Sequence, residues 1–279
     1  MNKIPSEPKT ISIVTPSYNQ GEFIAETIES VISQVGDFYI DYIVVDACST
    51  DNSLAIIRNY ERLLREDEWK VNCLGINYRW ICEKDNGQAD GINKGFTMAT
   101  GSVFGWLNSD DLYCAGAFQK VIKIDWRKTD FCYGQGMWIN KRGDELGFYP
   151  TFTPNKYSLS LQCTLCQPTV FFSRETYNKL GEISVSYNFA LDYEYWLKGV
   201  FAGMKFSRIP LLIAKSRMYK ENKTLSYPTI ANRERKALLE RYYSSKSLNK
   251  FLLFIWKTVI EENTIKMNAQ VLAIIQREH

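Results

Sequence analysis

Ile11-Ser12-Ile13-Val14, running into Thr15-Pro16-Ser17-Tyr18-Asn19-Gln20-Gly21, opens the pattern from which the architecture follows. A short apolar run that stops at a cluster of turn formers has the signature of a buried strand. Directly after it, Ile24, Ile28, Val31 and Ile32 recur at the i, i+4, i+7, i+8 spacing of one helix face. Residues 42–45 read as a second strand that ends at Asp46. Ser49-Thr50-Asp51 can cap the next helix, whose apolar face is Leu54, Ile57, Tyr60 and Leu64. Residues 78–82 read as a third strand, and Ala89, Ile92, Phe96 and Ala99 as the following helix face, closed by Gly101. Residues 103–107 give a fourth strand, which stops at Asn108-Ser109-Asp110-Asp111. This alternation predicts an α/β fold, a parallel sheet with helices on both faces.

The second half changes character. Residues 137–140 and 145–149 flank Lys141-Arg142-Gly143-Asp144 as a hairpin, residues 170–172 form another strand, and residues 192–201 form an aromatic-rich helix. Residues 206–209 and 211–214 read as closing strands on either side of Pro210, and the pattern is helical from about Tyr227. The expected organisation is one domain over residues 1–226 and a helical tail over 227–279.

Composition narrows the chemistry. The chain has 279 residues, 45% hydrophobic and 14% aromatic, enough for a sizeable core. The longest apolar run, residues 251–256, falls far short of the roughly 20 residues that span a bilayer. The polar first ten residues carry two prolines and are expected to be neither signal peptide nor anchor. Seven cysteines in apparently buried runs point to reduced thiols and a cytoplasmic setting. The single histidine is His279, which excludes histidine-based catalysis and histidine-ligated zinc and leaves carboxylates, hydroxyls, amides, lysines or an oxygen-held metal. A net charge of +3 gives no signal for nucleic acid. The charge is uneven, with nine Lys/Arg against five Asp/Glu from Ala231 onward.

In open α/β sheets, ligands bind beyond the carboxyl ends of the parallel strands. Here those ends carry Thr15-Pro16-Ser17-Tyr18, Asp46, Glu83-Lys84-Asp85-Asn86-Gly87 and Asn108-Ser109-Asp110-Asp111. Any one of them alone is ordinary turn chemistry; four together suggest a nucleotide site assembled with a divalent cation. No phosphate-binding G-x-x-x-x-G-K-[ST] loop is present, and Gly134-Gln135-Gly136 comes too late and lacks a third glycine for dinucleotide binding. Cys163-Thr164-Leu165-Cys166 has redox or zinc spacing but no second ligand pair, and reads as two buried structural thiols.

Five blocks occur in order: Ile13-Val14-Thr15-Pro16-Ser17-Tyr18-Asn19, Val44-Val45-Asp46-Ala47-Cys48-Ser49-Thr50-Asp51, Asp85-Asn86-Gly87-Gln88, Asn93-Lys94-Gly95 and Leu107-Asn108-Ser109-Asp110-Asp111. Together with Gln167-Pro168-Thr169-Val170-Phe171-Phe172 and Asp192-Tyr193-Glu194-Tyr195-Trp196, the set resembles the inverting family 2 glycosyltransferases of bacterial polysaccharide biosynthesis, over roughly residues 10–225. The resemblance implies a GT-A fold, a single doubly wound, mostly parallel sheet with a C-terminal helical extension. It implies a nucleotide-diphosphate sugar donor of UDP or dTDP type and a saccharide or lipid-linked saccharide acceptor.

Residue by residue, the resemblance implies that Thr15, Pro16 and Tyr18 line the base and ribose pocket, with Tyr18 offering a ring face. Asp46 and Asp85 accept hydrogen bonds from the base or ribose, and Gly87 permits close backbone approach. Asn93 belongs to the donor side; Lys94 is either a donor contact or a solvated surface charge. Asp111 is the expected ligand of Mn²⁺ or Mg²⁺, with Asp110 as a second acidic ligand facing the donor sugar. Asn108 departs from the family's acidic pattern by replacing a carboxylate. Asp192 is the expected general base, with Glu194 second, and a helix N-terminal carboxylate is the plainer reading of either. Tyr195 or Trp196 could stack on a sugar, although at helical spacing at least one belongs to the core. Tyr219 stands where many relatives have histidine and receives no role.

The tail has two readings. Leu248, Leu252, Ile255, Trp256 and Val259, bordered by Lys246, Lys250 and Lys257, form a basic amphipathic face suited to peripheral contact at the inner face of the cell membrane. The same face suits packing on the body, or on a second subunit in a homo-oligomer. A sugar-nucleotidyl transferase and an inactive nucleotide-sugar binding module are the alternative functions. The first lacks a basic loop within residues 15–21, and the intact Asp110, Asp111 and Asp192 argue against the second.

Overall fold

The computed structural model describes residues 9–243. Strand β1 (Thr10–Ser17) leads through α1 (Ile24–Ile32) to β2 (Gly36–Asp46), α2 (Ser53–Arg65), β3 (Cys73–Cys82), α3 (Gln88–Met98) and β4 (Val103–Trp106). The short β5 (Leu112–Tyr113) and α4 (Ala117–Val121) precede the hairpin of β6 (Phe131–Ile139) and β7 (Glu145–Phe148). Then come α5 (Lys156–Leu161), a 3-10 turn at Gln167–Thr169, β8 (Val170–Ser173), α6 (Arg174–Leu180) and α7 (Leu191–Phe201). Strand β9 (Phe206–Arg217), α8 (Lys223–Ser226) and α9 (Pro228–Tyr242) complete the described chain.

One sheet organises these elements, in the order β3-β2-β1-β4-β8-β6-β9-β5, with β7 paired to β6. The first four strands are mutually parallel, and β8 is antiparallel to both β4 and β6. Since β9 runs parallel to β6, six of the nine described strands share one direction. The chain adds β2 and β3 on one side of β1 and β4 on the other, so strand order reverses at β1, the place where open α/β sheets bind ligands.

Side-chain alternation explains the two covered faces. Val14, Ile43, Val45 and Phe172 point into one buried cluster with α3 and α7 residues such as Ile92, Phe96 and Trp196. Their neighbours Ile13, Tyr42, Val44 and Phe171 point into a second cluster with Ile28, Ile57 and Phe118 from α1, α2 and α4. Period-2 strands buried on both sides thus produce the expected layers. Helix α9 contributes Leu238 and Leu239 to the first cluster, so this part of the C-terminal helical segment packs on the sheet's α7 face. The apolar face expected at Leu248, Leu252, Ile255, Trp256 and Val259 lies outside the described residues. No helix among the described residues is long and apolar enough to cross a membrane.

Two local expectations are corrected. Strand β9 continues through Pro210 rather than breaking into two. Its pairing with β6 jumps from Tyr133↔Arg208 to Gln135↔Leu212, and this bulge takes up the proline, which has no N–H to donate. Ser49 and Thr50 do not cap α2, whose N-cap is Asn52. They tie two loops instead: Asn19 N–H donates to Ser49 Oγ at 2.8 Å, and Thr50 N–H donates to Asn19 Oδ1 at 2.8 Å.

Glycine decides one approach. A Cβ on Gly95 would lie 2.3 Å from Val14 Cγ1, so α3 can rest on β1 only without a side chain there. Gly95→Ala is expected to lower folding stability by about 1–3 kcal/mol, read by urea unfolding; unchanged stability would show that this contact relaxes freely.

Candidate functional site

A cleft of about 610 Å³ opens over the carboxyl ends of the parallel strands. Each strand ends in a turn because its polar residues take over the hydrogen bonds that the sheet no longer supplies. Pro16 reaches the cleft from the end of β1, Tyr18 from the loop after it, Asp85 and Gly87 from the loop after β3, and Asp110 and Asp111 from the loop after β4. Asp192, in the first turn of α7, lines the same cleft. Tyr18 leaves its ring 59% exposed. Gly87 adopts φ +108°, a conformation that favours glycine, and its N–H donates to Asp85 Oδ1 at 2.9 Å.

Thr15, Asp46 and Asn93 do not line the cleft. The buried Thr15 hydroxyl shares a 3.0 Å hydrogen bond with Tyr42 inside the sheet. Asp46 is buried and accepts from Ser49 N–H at 2.8 Å and Ser49 Oγ at 2.6 Å, closing the turn after β2. Asn93 pairs with Ile183 through both its amide nitrogen and its oxygen, at 2.8 and 3.0 Å, and so clamps α3 to the loop before α7. Lys94 forms an ion pair with Glu83 at 3.0 Å, the surface-charge reading of that residue.

The acidic pair is built on Arg217. This guanidinium is 1% exposed and donates to Glu26 Oε2 at 2.7 Å, Lys141 O at 2.6 Å and Asp110 O at 3.0 Å. Arg217 N–H donates to Asp111 Oδ1 at 2.8 Å, and the Asn108 amide donates to Asp111 Oδ2 at 3.3 Å. Asp111, 2% exposed, therefore spends both oxygens on protein donors. Asp110 is more open, with Oδ2 accepting from the Tyr219 hydroxyl at 3.0 Å. Burial raises both carboxyls above their ordinary range, and for Asp111 the neighbouring Asp110 charge adds to it.

Two crowded carboxylates held against their preferred protonation are a donor set that a hard divalent cation would relieve. Asp110 keeps the more open carboxylate of the two, whereas Asp111, the first ligand expected from sequence, has both oxygens engaged within the protein. No cluster of three or more Cys, His, Asp or Glu suited to a metal exists among the described residues, so a cation here would need ligand oxygens from a bound molecule. Asn108 has a part of its own: its Oδ1 accepts from Gln88 Nε2 at 2.6 Å, joining the start of α3 to the acidic pair without a third negative charge.

Asp192 is held differently. Its Oδ1 accepts from Tyr193 N–H at 2.7 Å, and burial pushes its carboxyl up to about 6. Arg235 and Lys223 pull it partly back, and both line the same cleft. Glu194 points away, buried and accepting from the Tyr242 hydroxyl at 2.8 Å. Tyr195 and Trp196 are both core residues; Trp196 stacks on Trp106 with ring centroids 5.4 Å apart. Cys163 and Cys166 line the cleft wall as free thiols, and burial pushes Cys163 up to about 12, which makes them inert.

Several contributors escape a linear reading. Tyr219 and Arg217 organise the acidic pair from a strand end about a hundred residues away. Glu234 of α9 accepts from the N–H groups of Asn188, Phe189 and Ala190 at 3.0, 2.8 and 3.1 Å, fixing the loop that presents Asp192. Of these the sequence marked only Tyr219, as the residue standing where many relatives have histidine, and gave it no role.

Comparison with known proteins agrees with this geometry. The model of glycosyl transferase family 2 matches residues 12–184. A Bacillus subtilis glycosyltransferase named for teichuronic acid biosynthesis, TuaG, is 31% identical over 114 residues, covering 41% of each chain. An uncharacterised glycosyltransferase of Rickettsia conorii is 25% identical over 227 residues, covering 76% of this chain and 34% of its own. The chain thus spans less than half the length of both relatives. Among solved structures, S. aureus TarS residues 1–349 with UDP-GlcNAc superposes with TM-score 0.62 at 18% identity, over 96% of this chain and 71% of that one. The Pyrobaculum calidifontis mannosyltransferase PcManGT with GDP-Man and Mn²⁺ gives TM-score 0.61 at 15% identity, over 99% and 77%. At these identities the likeness establishes the fold, the expected GT-A arrangement.

The raised carboxyl of Asp192 has a consequence for stability. Between its unfolded value near 3.9 and the folded value of about 6, the folded chain holds the proton more tightly, so stability falls as pH rises through that window. The cost is absent below about pH 4 and complete above about pH 6. Asp192→Asn is expected to stabilise the chain at neutral pH by at most about 3 kcal/mol, with no gain near pH 4. Urea unfolding at both pH values checks this, and a variant less stable at neutral pH would contradict it.

Proposed function

Because the chain belongs to glycosyl transferase family 2, we propose that it moves a sugar, with inversion, from a nucleotide-diphosphate sugar of UDP or dTDP type to a hydroxyl of a saccharide or lipid-linked saccharide acceptor. The observation that carries this reading is that Asp192, with its raised carboxyl, lines the same cleft as the acidic pair Asp110–Asp111. Donor recognition falls to the strand-end loops. Tyr18 offers a ring face for the base, a contact worth roughly 1–3 kcal/mol; Asp85 accepts from the base or ribose, and Gly87 admits the backbone close to the ligand.

The reaction needs charge control at two places. Asp192 accepts the proton of the acceptor hydroxyl while its oxygen attacks the anomeric carbon and the bond to the diphosphate breaks. A base with a carboxyl near 6 is ionised at neutral pH yet basic enough to assist. Asp110 and Asp111 would hold Mn²⁺ or Mg²⁺, which would supply neutralisation of the departing nucleoside diphosphate. Tyr219 and Arg217 orient that pair from beneath. Glu234, through the loop at Asn188–Ala190, steadies the approach to Asp192.

The setting we propose is assembly of a bacterial surface polysaccharide at the inner face of the cell membrane. It is supported by the relative named for teichuronic acid biosynthesis.

Asp192→Asn is expected to lower transfer by about 10²-fold or more while leaving nucleotide affinity intact. Full retention of activity would remove Asp192 as the base. In the parent chain the rate is expected to fall about tenfold per pH unit below about 6, as Asp192 takes up its proton; a profile flat down to pH 4.5 would point to a different group.

A further inference from the structure

Strands β2 and β3 run parallel with Asp46 opposite Cys82, so their chains leave the sheet side by side. Glu83 N–H donates to Asp46 O at 3.0 Å, and Ser49 N–H to Asp46 Oδ1 at 2.8 Å, which fixes both exits. Between those anchors Cys48 takes φ +62°, a left-handed conformation uncommon for a residue with a side chain. The outcome is a thiol pair: Cys82 Sγ lies 3.9 Å from Cys48 Sγ and 3.7 Å from Asp46 Oδ1. Cys82 is exposed and Cys48 half-buried, so reagents reach the pair from solvent. Cys132 and Cys166, by contrast, are buried.

We propose that Cys48 and Cys82 are a dithiol modification site beside the cleft, which a hydroperoxide closes into a reversible disulfide. A disulfide needs sulfurs about 2.0 Å apart, so each sulfur moves by about 1 Å, within reach of side-chain rotation while the strand ends stay in place. The chemistry balances in two steps. The Cys82 thiolate attacks the peroxide oxygen, the O–O bond breaks, and Cys82 becomes a sulfenic acid as the peroxide is reduced to water. The Cys48 thiolate then attacks the Cys82 sulfur, the S–S bond forms, and the sulfenic oxygen leaves as a second water after protonation. In sum, two thiols and one hydrogen peroxide give one disulfide and two waters.

The neighbourhood sets the rate and the consequence. Desolvation, Cys48 and the Asp46 carboxylate all raise the Cys82 thiol, so closure is faster at alkaline pH. Pinning Cys48 to β3 also immobilises the loop whose Ser49, Thr50 and Asp51 bond Asn19 and Gly21, directly beyond Tyr18 at the cleft. The site itself stands whatever the cleft binds.

The test treats the folded full-length chain with hydrogen peroxide at mildly alkaline pH, blocks remaining thiols by alkylation, and maps peptides without reduction. The expected result is a Cys48–Cys82 linked peptide, an intact mass lower by two hydrogens, and recovery with dithiothreitol. Cys48→Ser is expected to stop at a Cys82 sulfenic acid trapped by dimedone, and Cys73→Ser to leave the linkage unchanged. Linkage appearing first at other cysteines, or between Cys48 and Cys82 only after denaturation, would overturn the proposal. The parent-chain map decides this even if a variant fails to fold.

Discussion

A buried guanidinium, Arg217, bonded to the acidic loop of Asp110 and Asp111 is the constraint on which the site depends. Arg217, at the end of β9, reaches Glu26 on α1, the backbone at Lys141 in the hairpin turn, and the backbone of Asp110. Removing one member of such a set leaves an uncompensated charge in a poorly solvated place, which costs far more than an exposed ion pair contributes. The network therefore joins the parallel half of the sheet to its mixed half, and it sets where Asp110 and Asp111 stand. Without that join, the acidic loop after β4 would be an ordinary turn.

The same residue type meets two kinds of surroundings in one cleft. Asp110 and Asp111 lie side by side, so burial and mutual repulsion together favour a cation between them and a ligand. Asp192 has no carboxylate neighbour of this kind; burial lifts it to about 6 against the pull of Arg235 and Lys223. In a chain whose one histidine is His279, the proposed metal holding and proton transfer would fall to carboxylates in different surroundings.

What the sequence made legible follows from locality. Strand and helix periods within residues 10–107 appear in the structure as β1 through β4 with their helices, because burial on both faces imposes those periods. The mixed half was read only in pieces: the full length of β6, the helices α4 to α6, and the continuity of β9 through Pro210 depend on pairing between distant segments. Site residues divide along the same line. Pro16, Tyr18, Asp85, Gly87, Asp110, Asp111 and Asp192 come together at the cleft, whereas Thr15, Asp46 and Asn93 belong to turns and clamps behind it. Arg217 and Glu234 had no local pattern to mark them, and Tyr219 was noted but given no role, since what they do is fixed by partners elsewhere in the chain.

The most direct test is thermal unfolding of the full chain across UDP, dTDP and GDP, each with and without Mn²⁺. The account predicts that at least one nucleoside diphosphate raises Tm in a saturable way, by the equivalent of about 2–3 kcal/mol at a hundredfold excess over Kd, and that Mn²⁺ enlarges the shift. Failure of every nucleoside diphosphate to stabilise the chain would contradict it.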